Sequence, residues 1–146
     1  MINPVYTAKA SASGGRNGKV KSSDGILDFE VRVPKEMGGQ GGAYTNPEQL
    51  FAAGYAACFD SALNMVIRQA KVKTGTTAVA AEVGIGSNQE GGFGLAVTLK
   101  VSVPEVSQEQ AEELVNKAHQ VCPYSNATRN NIDVVLEVST EELSVA

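Results

Sequence analysis

The sequence predicts an α+β domain with mainly antiparallel sheet. Short alternating apolar segments indicate strands, and two longer stretches with apolar residues at helical spacing separate them. The order of strands, helix, strands, helix and strand lacks the regular alternation of a parallel α/β protein. A chain of 146 residues can bury about 68–70% of its unfolded surface without disulfide or metal staples. We therefore expect one domain over residues 1–146.

The first part of the chain predicts a meander of about three strands. Apolar residues alternate with charged ones in the last of them, as in a half-buried strand: Leu27, Phe29, Val31 and Val33. Glycine-rich turn sequences at residues 14–18 and 22–25 precede this run. Arg16 is therefore expected at the tip of a turn.

A helix start is predicted after this meander. Asn46 can cap the helix with Pro47 at the first position, or Thr45 can form a capping box with Glu48. Either choice places Glu48 in the first turn, beside the positive end of the helix dipole. The spacing of the apolar residues that follow places Cys58 in mid-helix on the apolar face.

The second half predicts a hairpin, a helix and a final strand. The hairpin strands cover residues 76–85 and 93–103. A capping-box sequence beginning at Ser107 starts the helix, and Pro123 is expected to end it. The final strand covers residues 132–138. Cys122 lies at the end of this helical pattern and is expected to point inward with Cys58.

Composition limits the classes of partner. The net charge is −4 and basic residues form no run, which argues against binding to nucleic acid or to an anionic membrane. Polar residues interrupt the apolar stretches before the roughly 18 residues of a membrane span. The N-terminus lacks the charged start and apolar run of a signal peptide, so the cytosol is expected. Thiols there are mostly reduced, and two cysteines then suggest catalysis, redox sensing or metal binding.

The cysteines leave several alternatives open. Cys58 is either a reactive thiol or a small core hydrophobe, and reactivity requires a nearby cation, for which Arg16 is a candidate. Cys122 is a resolving thiol, half of a structural disulfide or an inert core residue. A zinc site formed by Cys58, His119 and Cys122 is a weaker alternative, because paired Cys-x-x-Cys spacing is missing.

Three segments carry a resemblance to a known family. Residues 46–59, NPEQLFAAGYAACF, resemble the first cysteine helix of the organic hydroperoxide resistance family, within the osmotically inducible protein (OsmC/Ohr) superfamily. Residues 118–129, AHQVCPYSNATR, resemble its second cysteine segment, and residues 14–18, GGRNG, resemble its arginine turn. The order of the segments also agrees. One departure is Asn130, where the family pattern leads us to expect glycine.

The resemblance implies an α+β fold of the OsmC/Ohr type with central cysteine helices. It implies an intertwined homodimer in which strands from both subunits complete each sheet. The implied activity is that of a thiol peroxidase, which reduces organic hydroperoxides, including those of fatty acids, to alcohols without metal or other cofactor. The implied reductant is dihydrolipoamide or a lipoylated protein.

The resemblance also assigns roles to individual residues. Cys58 would be the peroxidatic cysteine and Cys122 the resolving cysteine, and Arg16 and Glu48 would form the charged pair that organises the site. A guanidinium near the thiol favours the thiolate and stabilises the departing alkoxide. A carboxylate that accepts both of its N–H groups would fix its orientation.

Two aromatic residues on the first predicted helix are candidate neighbours of an alkyl substrate. These are Phe51 and Tyr55, although residues at such positions more often belong to the core. Two rival functions use the same sequence features. One is a redox sensor or small-ligand-binding protein without turnover, and the other is a structural protein whose cysteines merely pack.

Overall fold

The computed structural model describes residues 1–144, which form two compact units. The first unit is Met1–Leu50 and the second begins at Phe51. The structure contains helices together with antiparallel and parallel strand pairs, which confirms the predicted α+β class. The expectation of a single domain stays a prediction.

The first unit contains the predicted three-stranded meander. Its antiparallel strands pair in sequence order, and they are β1 (Ala10–Ser13), β2 (Lys19–Ser22) and β3 (Asp28–Glu30). A single 3₁₀ turn, Gly15–Asn17, joins β1 to β2. Gly14 precedes it with a φ of 79°, a left-handed conformation that glycine adopts without strain. Arg16 therefore lies in a turn, as predicted.

The last strand of this meander is shorter and more exposed than expected. Only Val31 of its alternating apolar residues is fully buried. Phe29 is 45% exposed and Leu27 is 42% exposed, so the prediction of a half-buried strand is wrong for these two residues. The reason is that a period of two predicts a strand with an apolar face but does not show whether another element covers that face.

Helix α1 is Pro47–Ala70. Asn46 caps it, because its Oδ1 accepts a hydrogen bond from the backbone N–H of Gln49 at 2.8 Å. The alternative capping box of Thr45 is wrong, because its hydroxyl donates to the Gln49 side chain instead. The helix ends at Ala70, and Lys71 after it takes a φ of 56°.

By length and mean hydropathy, α1 also meets the criteria for a membrane span. Polar residues still divide its apolar run, as predicted, because Asp60 and Asn64 lie within the helix. Core helices meet the same criteria, and 33% of its most apolar window is buried. Its mid-helix carboxylate, Asp60, accepts a hydrogen bond from the hydroxyl of Thr77 at 2.6 Å, and Asn64 donates to the same two side chains.

The sheet of the second unit is mixed. Strands β4 (Ala78–Ser87) and β5 (Phe93–Ser102) form the predicted antiparallel hairpin. The final strand, β6 (Val134–Ser139), pairs with β5 in parallel, in the order β4-β5-β6. The chain reaches β6 through a helical crossover, and such a connection permits parallel pairing. The sequence pattern predicted the positions of these strands but not the parallel pairing of β6 with β5.

Two helices form the crossover. Helix α2 is Gln108–Val121, and Ser107 caps it by accepting a hydrogen bond from the N–H of Gln110 at 3.1 Å. Helix α3, Pro123–Thr128, was not predicted. Pro123 does end α2, but it also stands at the first position of α3, where proline is favoured. The predicted helical placement of Cys122 is therefore wrong, because this residue is the link between the two helices.

Candidate functional site

Arg16 and Glu48 form a two-pronged ion pair in the first unit. Nη1 of Arg16 donates to Oε2 of Glu48 at 2.8 Å, and Nη2 donates to Oε1 at 2.6 Å. The 3₁₀ turn between β1 and β2 presents the arginine, and the first turn of α1 presents the carboxylate. The structure therefore forms the charged pair that the family resemblance implied, and the two hydrogen bonds fix the plane of the guanidinium.

The two charges of this pair hold each other ionised. The hydrogen bond from Arg16 lowers the pKa of Glu48 below its ordinary value, and burial opposes this shift. The hydrogen bond to Glu48 raises the pKa of Arg16 in turn. Part of the guanidinium remains accessible, since the arginine side chain is 33% exposed while that of Glu48 is 14% exposed. The arginine can therefore present a positive charge in a fixed orientation.

The second unit brings the two cysteines together. Sγ of Cys58, on α1, lies 3.8 Å from Sγ of Cys122, and both are free thiols. Cys58 is half-buried, whereas Cys122 is fully buried. A disulfide bond is about 2.05 Å long, so the sulfur atoms need to approach by about 2 Å to join. The two sulfur atoms are therefore close enough to form a disulfide after a small local movement.

The surroundings of Cys58 within this unit favour the thiol. Burial raises the pKa of Cys58 above its ordinary value, and the neighbouring Cys122 adds to the increase. A hydrogen bond from the backbone N–H of Tyr124 acts in the opposite direction and lowers this pKa. Since the thiolate is the nucleophilic form, reactivity near neutral pH requires a further source of positive charge.

Cys122 is held by the backbone around it. It caps α3, because its Sγ accepts a hydrogen bond from the N–H of Ser125 at 3.5 Å. Its own N–H donates to the carbonyl of Ala118, at the end of α2. The sulfur of Cys122 is thus fixed at the junction of α2 and α3.

An aromatic cluster lies beside the thiols. The rings of Phe51, Tyr55 and Tyr124 lie 5.7–6.2 Å apart, centroid to centroid. Tyr55 is completely buried in the core, and its candidacy as a neighbour of the substrate stays a prediction. Phe51 is half-buried and keeps that candidacy as a prediction. Tyr124 is 40% exposed and packs against Gly54, where an added Cβ would lie 3.0 Å from its hydroxyl.

Tyr124 and Ser125 were not predicted as site residues from the sequence. Their signal was the proline after Cys122, which is typical of a helix start and makes Cys122 the candidate cap of that helix. Among residues 1–144, no group of three or more His, Cys, Asp or Glu side chains is placed to hold a metal ion. His119, a zinc ligand in the weaker alternative, contacts Ser125 through Nδ1.

The fold and the paired thiols define the class of protein. Residues 39–137 match the family model described as OsmC-like protein. A solved structure of an organic hydroperoxide resistance protein from Elizabethkingia anophelis has a TM-score of 0.92 and 61% sequence identity. That similarity covers 96% of this chain and 100% of the solved chain.

Individual relatives narrow this class. The chain is 54% identical over 136 residues to the organic hydroperoxide resistance protein of Xanthomonas axonopodis pv. citri, covering 92% of this chain and 95% of that protein. It is 51% identical over 144 residues to the organic hydroperoxide resistance protein OhrA of Bacillus subtilis, covering 95% and 99%. The chain belongs to the organic hydroperoxide resistance family of OsmC-like proteins, as its resemblance predicted.

Proposed function

We propose that this protein is a thiol peroxidase that reduces organic hydroperoxides, including those of fatty acids, to alcohols. The observation that carries the proposal is the 3.8 Å contact between a partly accessible thiol, Cys58, and a buried one, Cys122. The names of its relatives, organic hydroperoxide resistance proteins, support the substrate class. A redox sensor would use the same cysteine pair without turnover, so the measurement of turnover separates the two functions.

The first step oxidises Cys58. Its thiolate attacks the outer oxygen of the hydroperoxide, an S–O bond forms, and the O–O bond breaks. The products are the sulfenic acid of Cys58 and an alkoxide, which takes up a proton to give the alcohol. Negative charge moves from sulfur to the leaving oxygen during this step. We assign Arg16 the stabilisation of that charge and Glu48 the orientation of the guanidinium.

The second step forms a disulfide. Sγ of Cys122 attacks the sulfenic sulfur of Cys58, and the proton of Cys122 leaves with the hydroxyl group as water. An external dithiol then restores both thiols by exchange and is itself oxidised to a disulfide. We propose dihydrolipoamide or a lipoylated protein as this reductant. The proposed location is the cytosol, where such reductants are present.

The proposed assembly is an intertwined homodimer. Its support is the exposure of large apolar side chains in the first unit, where Ile26 is 80% exposed and Phe29 is 45% exposed. A second copy of the chain that completes the sheet would cover these residues. Exposed apolar surface of this kind is typical of an interaction site.

Steady-state turnover tests the proposal. We expect rapid consumption of an alkyl hydroperoxide with dihydrolipoamide recycling, and much slower consumption with thioredoxin or with hydrogen peroxide as substrate. Cys58→Ser should abolish the first turnover. Cys122→Ser should keep the first turnover but lose recycling and accumulate sulfinic acid. Full first-turnover activity in Cys58→Ser would overturn the assignment, and equal activity with thioredoxin would overturn the proposed reductant.

A further inference from the structure

A buried chain of hydrogen bonds lies next to the thiol pair. It joins side chains from all three helices of the second unit: Tyr55 on α1, His119 on α2, and Ser125 and Thr128 on α3. The hydroxyl of Ser125 lies 2.8 Å from Nδ1 of His119 and 2.8 Å from the hydroxyl of Tyr55. The Tyr55 hydroxyl lies 3.1 Å from that of Thr128. The proposed peroxidase mechanism uses none of these side chains.

The Ser125 carbonyl, at one end of these linked hydrogen bonds, determines which group is the donor in each of them. A carbonyl oxygen only accepts, so the Thr128 hydroxyl donates to the Ser125 carbonyl at 3.2 Å. Each hydroxyl has one proton, so Tyr55 donates to Thr128, and Ser125 donates to Tyr55. The Ser125 oxygen then accepts from His119, which must carry a proton on Nδ1. The chain therefore runs in one direction, from His119 to the Ser125 carbonyl.

The chain is compatible with a neutral imidazole. Burial lowers the pKa of His119, and the positive charge of Arg129 adds to this decrease. Arg129 also donates to the backbone carbonyl of His119. A neutral His119 with its proton on Nδ1 agrees with the lowered pKa and also donates to Ser125. The hydrogen bonds therefore need no charged histidine.

Removing one hydroxyl would leave buried groups without partners. Tyr55 and Ser125 are completely buried, and Thr128 is almost so. A buried polar group that loses its partner costs about 1–3 kcal/mol. The three helices are therefore tied at one point, the side chain of Ser125.

That point lies beside the sulfur of Cys122. The backbone N–H of Ser125 donates to Cys122 Sγ, while its side chain is bonded to α1 and α2. We propose that Ser125, held by its hydrogen bonds with His119 and Tyr55, is a positioning residue for disulfide formation between Cys58 and Cys122.

This proposal rests on the proposed function for its biological role. The step it assists joins Sγ of Cys122 to Sγ of the Cys58 sulfenic acid, with release of water. A thiol that is held near its target has a higher effective concentration than one that moves freely. Loss of these hydrogen bonds should therefore lower both the equilibrium constant and the rate of disulfide formation. The attack of Cys58 on a hydroperoxide should not change.

Two variants of His119 provide a matched test. His119→Asn keeps an N–H donor near the position of Nδ1, whereas His119→Leu has similar bulk without a donor. Ser125→Ala removes the central hydroxyl and keeps the backbone N–H. Ser125 is fully buried, so the Ser125→Ala variant can fail to fold. If it does, the two variants of the half-buried His119 provide the test. Far-UV circular dichroism and urea unfolding check the fold of each variant.

The first readout uses no hydroperoxide. Each protein is equilibrated with reduced and oxidised dithiothreitol, alkylated, and its free thiols are counted by mass spectrometry. We expect Ser125→Ala and His119→Leu to lower the equilibrium constant for the Cys58–Cys122 disulfide at least about tenfold. His119→Asn should restore it to within about threefold of the parent. Equal values for parent and His119→Leu, or equal losses in both His119 variants, would overturn the proposal.

The second readout adds one equivalent of alkyl hydroperoxide and quenches at intervals. Sulfenic acid should form at the parent rate in His119→Leu, but disulfide should form more slowly and sulfinic acid should increase. If the parent forms the disulfide in dithiothreitol buffer but not with hydroperoxide, only the proposed function fails. If the parent forms no Cys58–Cys122 disulfide under either condition, the positioning role is overturned as well.

Discussion

At the scale of residues, the burial of Cys58 opposes the ionised form that its proposed chemistry needs. A peroxidatic cysteine must be a thiolate, yet burial raises the pKa of Cys58 and the Tyr124 N–H compensates only in part. Arg16, fixed by Glu48, is the charge that we propose to resolve this conflict. The family resemblance implied the pairing of Arg16 with Glu48, whereas the residues alone indicated only a carboxylate at the positive end of the helix dipole.

The first prediction concerns the pH dependence of the thiol. Without a cation, the pKa of Cys58 should rise further, so the pH at which the thiolate appears should move upward in Arg16→Ala. The second-order rate constant with an alkyl hydroperoxide should fall about a hundredfold, because charge on the leaving alkoxide also loses its partner. Stopped-flow oxidation across a pH series measures both quantities.

Arg16→Lys is the matched control for this variant. It keeps the charge but not the fork of two N–H groups, so its thiol titration should stay closer to that of the parent. An unchanged pH profile and rate constant in Arg16→Ala would show that Arg16 has no part in the chemistry.

The second prediction concerns Glu48 and acid stability. Its pKa is lowered in the folded protein, so its contribution to folding is present above the unfolded value and is lost as the pH falls through the folded value. We expect Glu48→Gln to be less stable than the parent near neutral pH by at most about 1 kcal/mol, because the pair is partly solvated. The difference should vanish in acid. Urea unfolding at several pH values measures it, and a difference that grows in acid would contradict the assignment.

At the scale of elements, helix starts were the most predictable features. Asn46, Pro47 and Ser107 carry local signals that need no tertiary contact, and the structure uses all three. The junction at Cys122 was less predictable, because the same proline that ends one helix also begins the next. Six residues without a hydrophobic period of their own gave no separate helical signal for α3.

The third prediction concerns Asn130, the departure from the family pattern. Its φ is 61°, a left-handed conformation that glycine adopts freely and that asparagine tolerates better than other side chains. Asn130→Gly should therefore change the free energy of unfolding by less than about 1 kcal/mol. Asn130→Val should destabilise the protein by about 1–2 kcal/mol, since a β-branched side chain resists this conformation.

Denaturant unfolding of the two Asn130 variants measures this difference. The site is exposed, so loss of packing does not confound the comparison. Equal stability of the valine and glycine variants would show that the backbone conformation at Asn130 carries no cost.

At the scale of the whole molecule, sequence patterns placed most elements but not their partners. The strands β4, β5 and β6 lie close to their expected positions, yet their period does not reveal that β6 pairs in parallel with β5. The contact of Cys58 with Cys122 joins residues 64 positions apart and depends on how α1 packs with the crossover helices. The resemblance to the family linked these two thiols as a redox pair in advance, whereas the residues alone left a zinc site and inert packing open.

The fourth prediction concerns assembly. Burial of Ile26, Leu27 and Phe29 against a second copy would remove a large apolar surface from water. We expect sedimentation equilibrium to give the mass of a dimer, and Phe29→Lys to shift the protein toward monomer. Val135→Lys is the control, because it adds the same charge at an exposed position in the second unit. A parent protein that sediments as a monomer at high concentration would contradict the proposed dimer.

The central claim is most directly tested by treating the reduced protein with one equivalent of an alkyl hydroperoxide and mapping its peptides. The account predicts one alcohol formed per molecule of protein, together with a disulfide that joins the peptides containing Cys58 and Cys122. Consumption of the hydroperoxide with both thiols still free, or oxidation that leaves Cys58 unmodified, would contradict it.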